Sequence, residues 1–125
     1  MSRLLVDTHA VLWWLADDEA LTESARTAMA DPQNDLLVST ASVWEAAIKR
    51  ALGRLSAPDD LPDVIEEEGF EFLPVSPLHA WGVATLPPHH RDPFDRLLIA
   101  QAQAEGLAVV TGDERFAAYG VDVRW

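Results

Sequence analysis

Apolar and polar positions form short blocks along the chain that predict strands and helices in alternation. Short apolar runs predict buried strands at 4–6, 35–40, 70–75 and 107–111, and a last strand is expected at 121–125. Segments with apolar residues at helical spacing predict helices at 8–16, 21–30, 41–52, 58–69, 77–86 and from Pro93 onward. This alternation is typical of an α/β protein with a mainly parallel sheet.

The composition limits the class of protein without identifying it. A chain of 125 residues with 49% apolar and 24% charged residues suits one folded domain, so residues 1–125 are treated as a single domain. No apolar run is long enough to span a membrane and no signal peptide is visible, so we expect a cytoplasmic protein without a membrane anchor. The lack of cysteine excludes disulfide bonds and thiolate metal sites.

The net charge of −12 is the bulk property that bears most on function. An acidic protein is a poor non-specific binder of nucleic acid, because such binding depends on neutralising phosphates. The same charge suits a protein that binds cations or meets a basic partner.

Two aspartates directly follow predicted strands. Asp7 comes after the strand at 4–6, and Asp113 follows the strand at 107–111 through Gly112. Ligands of open parallel sheets bind beyond the carboxyl ends of the strands, so both aspartates are candidate site residues. Capping of the following helix or turn is the simpler explanation for each of them.

Two further acidic residues lie on the apolar sides of predicted helices. Glu45 is spaced one turn from Ile48, and Asp95 is spaced one turn from Ile99. A carboxylate in such a position is either paired with a cation or placed at the edge of the core as a functional group. For Glu45 the first alternative is a structural ion pair, in which Arg96 could serve as the partner.

Four carboxylates at one end of a sheet need compensation. Two like charges about 4 Å apart repel by roughly 4 kcal/mol at an effective dielectric constant near 20. A hard divalent cation removes this repulsion, and oxygen ligands favour Mg²⁺ or Mn²⁺ over zinc. Because such an ion activates water and stabilises a leaving oxygen, phosphodiester hydrolysis is the expected reaction.

Three segments of this chain carry a resemblance to a known family: DTHAVLWWL (7–15), STASVWEAAIKRALGRL (39–55) and HRDPFDRLLIAQAQAEGLAVVTGDERF (90–116). Their order resembles PIN-domain ribonucleases, in particular the VapC-type toxins of bacterial toxin–antitoxin pairs. The resemblance extends over nearly the whole chain and implies a three-layer α/β/α sandwich around a mainly parallel sheet. It also implies an acidic quartet, both catalytic and metal-binding, at Asp7, Glu45, Asp95 and Asp113.

The resemblance further implies supporting residues, a cofactor and partners. The hydroxyl group at a strand end falls on Thr111, and Asp92 either assists the metal or caps its helix. Family members cleave RNA, often structured RNA such as tRNA, with Mg²⁺ or Mn²⁺. They usually form homodimers, and a cognate antitoxin holds them inactive by covering the acidic site.

Basic, aromatic and histidine residues around these segments are weaker candidates. Lys49, Arg91 and Arg96 are candidate RNA contacts, although exposed basic residues are more often only solubilising charges. One of the adjacent Trp13 and Trp14 is expected to pack inward and leave the other for a dimer or antitoxin surface. Two other tryptophans are expected in the core, Trp44 and Trp81. The histidines have no spacing that suits a zinc site, and only His9 is considered for the outer shell of a metal.

Three other classes of protein are weighed against the nuclease. A signalling receiver domain needs an aspartate after its third strand and a later lysine, but FEFLPVSP contains no aspartate and no lysine follows Lys49. A phosphatase with an aspartyl nucleophile needs Asp-x-Asp after the first strand, and this chain has Asp7-Thr8-His9. A catalytically silent module that binds a basic partner stays open, and it predicts that metal ions do not affect stability.

Overall fold

The computed structural model describes residues 2–125, in which five strands form one parallel sheet. The strands are β1 (Arg3–Val6), β2 (Asp35–Ser39), β3 (Glu71–Leu73), β4 (Ala108–Val110) and β5 (Val123–Arg124). Their order is β3-β2-β1-β4-β5, so the chain winds outward from β1 first in one direction and then in the other. The direction reverses between β1 and β4, which is where open parallel sheets bind their ligands.

Within residues 2–125, six α-helices connect the strands, at positions close to those predicted. They are α1 (Thr8–Ala16), α2 (Glu23–Ala30), α3 (Thr40–Ala51), α4 (Leu61–Glu67), α5 (Pro77–Gly82) and α6 (Pro93–Glu105). Two short 3₁₀ segments follow α5 and β4, at Val83–Thr85 and Glu114–Tyr119. None of the helices within residues 2–125 combines the length and the apolar content that crossing a bilayer requires.

The strands carry apolar side chains on both faces, and each face supports its own core. In β1, Leu4 and Val6 join one core, whereas Leu5 joins the other. The first core receives side chains from α1, α2, α3 and α4. The second is built mainly on α6, against which α5 packs. These layers confirm the predicted three-layer α/β/α sandwich.

Two of the tryptophans do not lie where the sequence placed them. Trp44 is 61% exposed and Trp81 is 80% exposed, so the prediction that both are core residues is wrong. Trp44 lies beside the buried face of α3, and its ring meets Phe94 of α6 edge-on with ring centroids 5.1 Å apart. Trp13 and Trp14 are both half-buried against the first core, so neither is left fully exposed.

Candidate metal centre

Asp7 lies at the end of β1, between the sheet and the first turn of α1. Its backbone N–H donates to the carbonyl of Val110 in β4 (3.0 Å), and its Oδ1 accepts a hydrogen bond from the N–H of Ala10 (2.7 Å). Burial raises the pKa of Asp7, against the lowering effect of the Thr111 hydroxyl and the Ala10 amide. Asp7 therefore caps its helix, in agreement with the simpler of the two predictions. It also brings a buried carboxylate to the place between β1 and β4 where the winding of the sheet reverses.

Glu45 projects from α3 into the same region, with only 3% of its side chain exposed. Thr8 donates its hydroxyl hydrogen to Oε1 (2.7 Å), and Lys49 donates from Nζ to Oε2 (2.7 Å). The Oγ of Ser42 lies 2.9 Å from the Oγ1 of Thr8 and continues this network. The hydrogen bond to Glu45 raises the pKa of Lys49. The ion-pair partner of Glu45 is thus Lys49, one turn away on the same helix, and not Arg96, which the sequence also offered.

Asp95 begins the buried side of α6, and a neighbouring residue caps this helix. Asp92 is the N-cap, since its Oδ1 accepts from the N–H groups of Phe94 (2.8 Å) and Asp95 (3.1 Å). Capping by Asp92 leaves the Asp95 carboxylate free to face the other acids. Burial raises the pKa of Asp95 to about 7, and the charges of Asp92, Glu45, Asp7 and Asp113 add to the rise.

Asp113 follows β4 and caps the second 3₁₀ segment. Its Oδ1 accepts from the backbone N–H and the Nε of Arg115 (both 3.0 Å), and its Oδ2 accepts from the Nη2 (3.0 Å). Desolvation would raise the pKa of Asp113, but the hydrogen bonds from Arg115 and His90 outweigh it and lower the pKa to about 2. Thr111 holds this turn, because its hydroxyl oxygen accepts from the Asp113 N–H (3.1 Å). Asp113 therefore stays ionised at neutral pH.

His90 is a site residue that the sequence reasoning missed. Its buried ring places Nε2 2.7 Å from the Oδ2 of Asp113 and 3.1 Å from the Oδ2 of Asp95. One ligand atom from each of these three residues lies within 4.8 Å of the other two, and no other group of this kind occurs in residues 2–125. A search for histidines at the spacing of a zinc site could not find it, because its neighbours come from α6 and from the turn after β4. The only signal was its position at the start of the segment 90–116.

The basic residues proposed from the sequence have mostly structural partners. Arg96 donates from Nη1 and Nη2 to four backbone carbonyls that lie 3.0 to 3.2 Å away, those of Val83, Leu86, Pro87 and His90. With Lys49 bound to Glu45, the expectation that Lys49 and Arg96 present free charges to RNA is not supported by their contacts. Arg91 is exposed. His9, considered for the outer shell, is exposed and packs on Trp13 with ring centroids 5.7 Å apart.

The donor set suits a hard divalent cation. The acidic quartet offers carboxylate oxygens alone, and the chain has no cysteine. Burial raises the pKa of Asp95 to about 7, and the negative charges of the other three acids add to the rise. Asp95 and Asp113 belong to the closest group of ligand atoms, and Asp7 and Glu45 lie outside that group. These four residues are the ones that could hold the ion.

Comparison with known proteins places this site in a family context. The family model described as PIN domain matches residues 4–122. Ribonuclease VapC22 of Mycobacterium tuberculosis is 29% identical over 127 aligned positions, which cover 95% of this chain and 93% of that protein.

Solved structures with a similar fold include chains of VapBC assemblies. VapBC2 from Rickettsia felis, bound to a DNA fragment from its promoter, gives a TM-score of 0.70 at 12% identity and covers 97% of this chain and 96% of that chain. DNA-bound VapBC from Salmonella typhimurium gives 0.67 at 18% identity, with coverage of 98% and 97%. At such low identity the likeness establishes the fold alone.

Proposed function

This chain belongs to the PIN domain family, and from that premise we propose that it is a metal-dependent endoribonuclease, the toxin of a toxin–antitoxin pair. The observation that carries the proposal is the grouping of carboxylates beyond the ends of β1 and β4, where Asp113 and Asp95 lie 2.7 and 3.1 Å from the Nε2 of one buried histidine. Burial raises the pKa of Asp95 in this group, and the charges of Glu45, Asp7 and Asp113 add to the rise. The similarity to a protein named as a ribonuclease supports the reaction class.

The acidic quartet would hold Mg²⁺ or Mn²⁺ and bring it to the phosphodiester. A bound ion of this kind lowers the pKa of an attacking water and stabilises the leaving oxygen. Asp113 is already ionised, since hydrogen bonds hold its pKa at about 2. Thr8 and Lys49 hold the Glu45 carboxylate in one orientation through bonds of 2.7 Å. The contacts of Thr8 and Lys49 fix the Glu45 oxygens before substrate arrives, as efficient catalysis requires.

Thr111 and Asp92 support the quartet without joining it. The Thr111 hydroxyl accepts from the Asp113 N–H and sets the direction of that turn. Asp92 caps α6 and thereby fixes the first turn that carries Asp95. Its charge also contributes to the raised pKa of Asp95. We therefore assign capping to Asp92 as its main role, with assistance to the metal through its charge.

The partners follow from the same family assignment. The substrate is RNA, tRNA or another structured RNA being the class that the resemblance implies. Arg91 is the exposed basic residue closest to Asp95 in sequence and is the best remaining candidate for a phosphate contact. A basic antitoxin segment would complement the net charge of −12. Exposed apolar side chains on α3 and α5, including Trp44 and Trp81, offer a surface for a homodimer. A cytoplasmic location stays a prediction.

The test is cleavage of total RNA by the purified protein. Wild type is incubated with Mg²⁺ or Mn²⁺ and, in parallel, with EDTA. Asp95→Asn removes a charge from the quartet, and Asp63→Asn makes the same change at an exposed position on α4. We expect discrete fragments from wild type and Asp63→Asn with metal only, and none from Asp95→Asn. Equal cutting by Asp95→Asn would contradict the assignment of the site.

A binding module without catalysis is the second candidate, and the net charge of −12 favours it. This candidate predicts no cleavage and no effect of metal on stability. The nuclease predicts instead that millimolar Mn²⁺ raises the melting temperature of wild type, because ligands that bind only the folded state stabilise it. Asp63→Asn should respond like wild type, and Asp95→Asn should not respond.

A further inference from the structure

His90 is held in place by contacts on every side of its residue. Its backbone N–H donates to the hydroxyl oxygen of Tyr119 (2.8 Å), and its backbone carbonyl accepts from Nη1 of Arg96 (3.1 Å). Its ring meets Phe116 edge-on, with ring centroids 6.0 Å apart. The residue is 3% exposed. A buried imidazole with so many fixed neighbours has one orientation, so the role of each ring nitrogen can be read from its partner.

The partner of Nδ1 determines where the ring carries its hydrogen. The backbone N–H of Asp92 donates to Nδ1 at 3.1 Å, so this nitrogen offers a lone pair and bears no hydrogen. A neutral imidazole then carries its hydrogen on Nε2. Nε2 is therefore a donor, and the atoms that it faces are acceptors, the Oδ2 of Asp113 and the Oδ2 of Asp95. A nitrogen that bears a hydrogen has no lone pair for a metal ion.

We propose that His90 is a positioning residue, which orients the carboxylates of Asp113 and Asp95 through its Nε2–H and is not itself a metal ligand. The proposal rests on the proposed function, since it concerns the same site. The close grouping of His90, Asp95 and Asp113 resembles a three-ligand set by distance alone. Because Nε2 bears a hydrogen, the group is not a set of three metal ligands. It is instead two carboxylates that accept from one donor, which aligns them. Loss of such a partner typically lowers metal affinity about 10- to 100-fold.

Two substitutions separate the functions of the two ring nitrogens. In His90→Asn, the side-chain oxygen can take the place of Nδ1 and accept from the Asp92 N–H, but no donor reaches the carboxylates. In His90→Gln, the longer side chain places an amide N–H near the position of Nε2 and loses the acceptor at Nδ1. Asparagine thus removes the contact that the proposal invokes, and glutamine restores it in an equally foreign side chain.

The first readout is the affinity for Mn²⁺, measured from the electron paramagnetic resonance signal of the free ion. We expect affinity about 10- to 100-fold weaker in His90→Asn, and we expect His90→Gln to bind close to the wild-type level. Wild-type affinity in His90→Asn, or an equal loss in both variants, would overturn the proposal. Wild type binding Mn²⁺ no better than Asp95→Asn would overturn the metal centre itself, and with it both the proposed function and this inference.

The second readout needs no substitution. Long-range ¹H–¹⁵N correlation spectra of the wild-type imidazoles, with and without Mg²⁺, report which ring nitrogen carries hydrogen. The His90 signal is assigned by its absence from His90→Gln. We expect Nε2 to keep its hydrogen in both spectra. An Nε2 that loses its hydrogen when Mg²⁺ is added would show that His90 is a ligand, which contradicts the proposal while leaving the metal centre intact.

Discussion

The protonation of Asp95 makes the stability of the folded protein depend on pH. The pKa of Asp95 is raised to about 7 in the folded protein, above the usual aspartate value of 3.8 that applies to the unfolded chain. The folded state thus keeps a proton that the unfolded state has released. Stability is unaffected by this residue below about pH 4, falls as pH rises from about 4 to 7, and stays reduced above that range.

Asp95→Asn should remove this loss of stability. In EDTA, we expect wild type to lose about 2 kcal/mol more than Asp95→Asn between pH 5 and pH 8, on the basis of about 1.4 kcal/mol for each pKa unit. The reason is that asparagine resembles the protonated acid and carries no charge at either pH. Urea unfolding at the two pH values measures the difference. Parallel pH dependence of the two proteins would contradict the raised pKa.

Arg115 occupies acceptor positions on Asp113 that a metal ion would use. Together with His90, it fills all of the roughly four lone-pair positions of that carboxylate. The Arg115 side chain is 59% exposed, so this ion pair is weak and can open. Direct ligation by Asp113 therefore requires the guanidinium of Arg115 to move away.

Arg115→Gln should then increase the affinity for Mn²⁺, by about two- to five-fold given the usual strength of exposed pairs. Arg124→Gln is the matched control, because Arg124 also binds the aspartate two residues before it through Nε and Nη2. Titration calorimetry of both variants gives the comparison. An unchanged or weaker affinity in Arg115→Gln would mean that Asp113 does not compete with its arginine for the ion.

Single residues show what the sequence can and cannot predict about a site. Position after a strand or on the apolar side of a helix led to the four carboxylates that are proposed as ligands. The hydrogen-bond partners of individual residues were harder to predict. Glu45 accepts from Lys49 of its own helix, and Arg96 donates to backbone carbonyls. The spacing of Glu45 and Lys49, four residues apart on one helix, was visible in the sequence. The contacts of Arg96 depend on the path of the loop before α6, on which the periodicity of apolar residues carries no information.

At the scale of elements, α6 and the segment before it act as one unit. Arg96 joins them, since its guanidinium binds carbonyls from Val83 to His90 across the start of the helix. Hydrogen bonds from a charged group contribute about 1.5 to 3 kcal/mol each at most, and the single nitrogen of a lysine cannot reproduce the spread of the two guanidinium nitrogens over four carbonyls. The strength of this connection sets how firmly His90 is held.

Arg96→Lys should lower the free energy of unfolding by about 2 kcal/mol, through the loss of several of these bonds. Arg91→Lys makes the same change five residues earlier, at an exposed position, and should have an effect within about 0.5 kcal/mol. Urea unfolding of both variants measures the difference. Equal stability of the two variants would show that the carbonyl contacts do not hold the segment.

Helices were predicted well where a cap marks their start and less well where exposure had to be judged. Asp92 caps α6, which is one of the two roles expected for it, and Thr22 caps α2 within the range predicted for that helix. Trp44 and Trp81 were assigned to the core from their apolar character, but the sides of α3 and α5 that carry them are uncovered. Apolar periodicity shows which residues share a helix face, and only tertiary structure shows whether another element covers it.

In the whole molecule, alternation of strands and helices predicted the layers, and the sheet order places the site. The order β3-β2-β1-β4-β5 sets the ends of β1 and β4 side by side and so brings Asp7 close to Asp113. The sequence predicted a parallel sheet but did not specify this order, because strand pairing is a long-range property. The overall acidity of −12 fits the cation requirement of the site better than it fits RNA binding.

The central claim is that water, at the carboxylate centre, cuts the phosphodiester. The most direct measurement is the chemistry of the new RNA ends formed by wild type with Mn²⁺, determined by comparing how well the fragments are ligated before and after any 2′,3′-cyclic phosphate is removed. Hydrolysis by water predicts that the wild-type fragments end without a 2′,3′-cyclic phosphate. It also predicts that Asp95→Asn forms none of these fragments. Cyclic phosphate ends that persist in EDTA and in Asp95→Asn would contradict the account, because the nucleophile would then be the ribose 2′-hydroxyl and the carboxylates would have no part in the reaction.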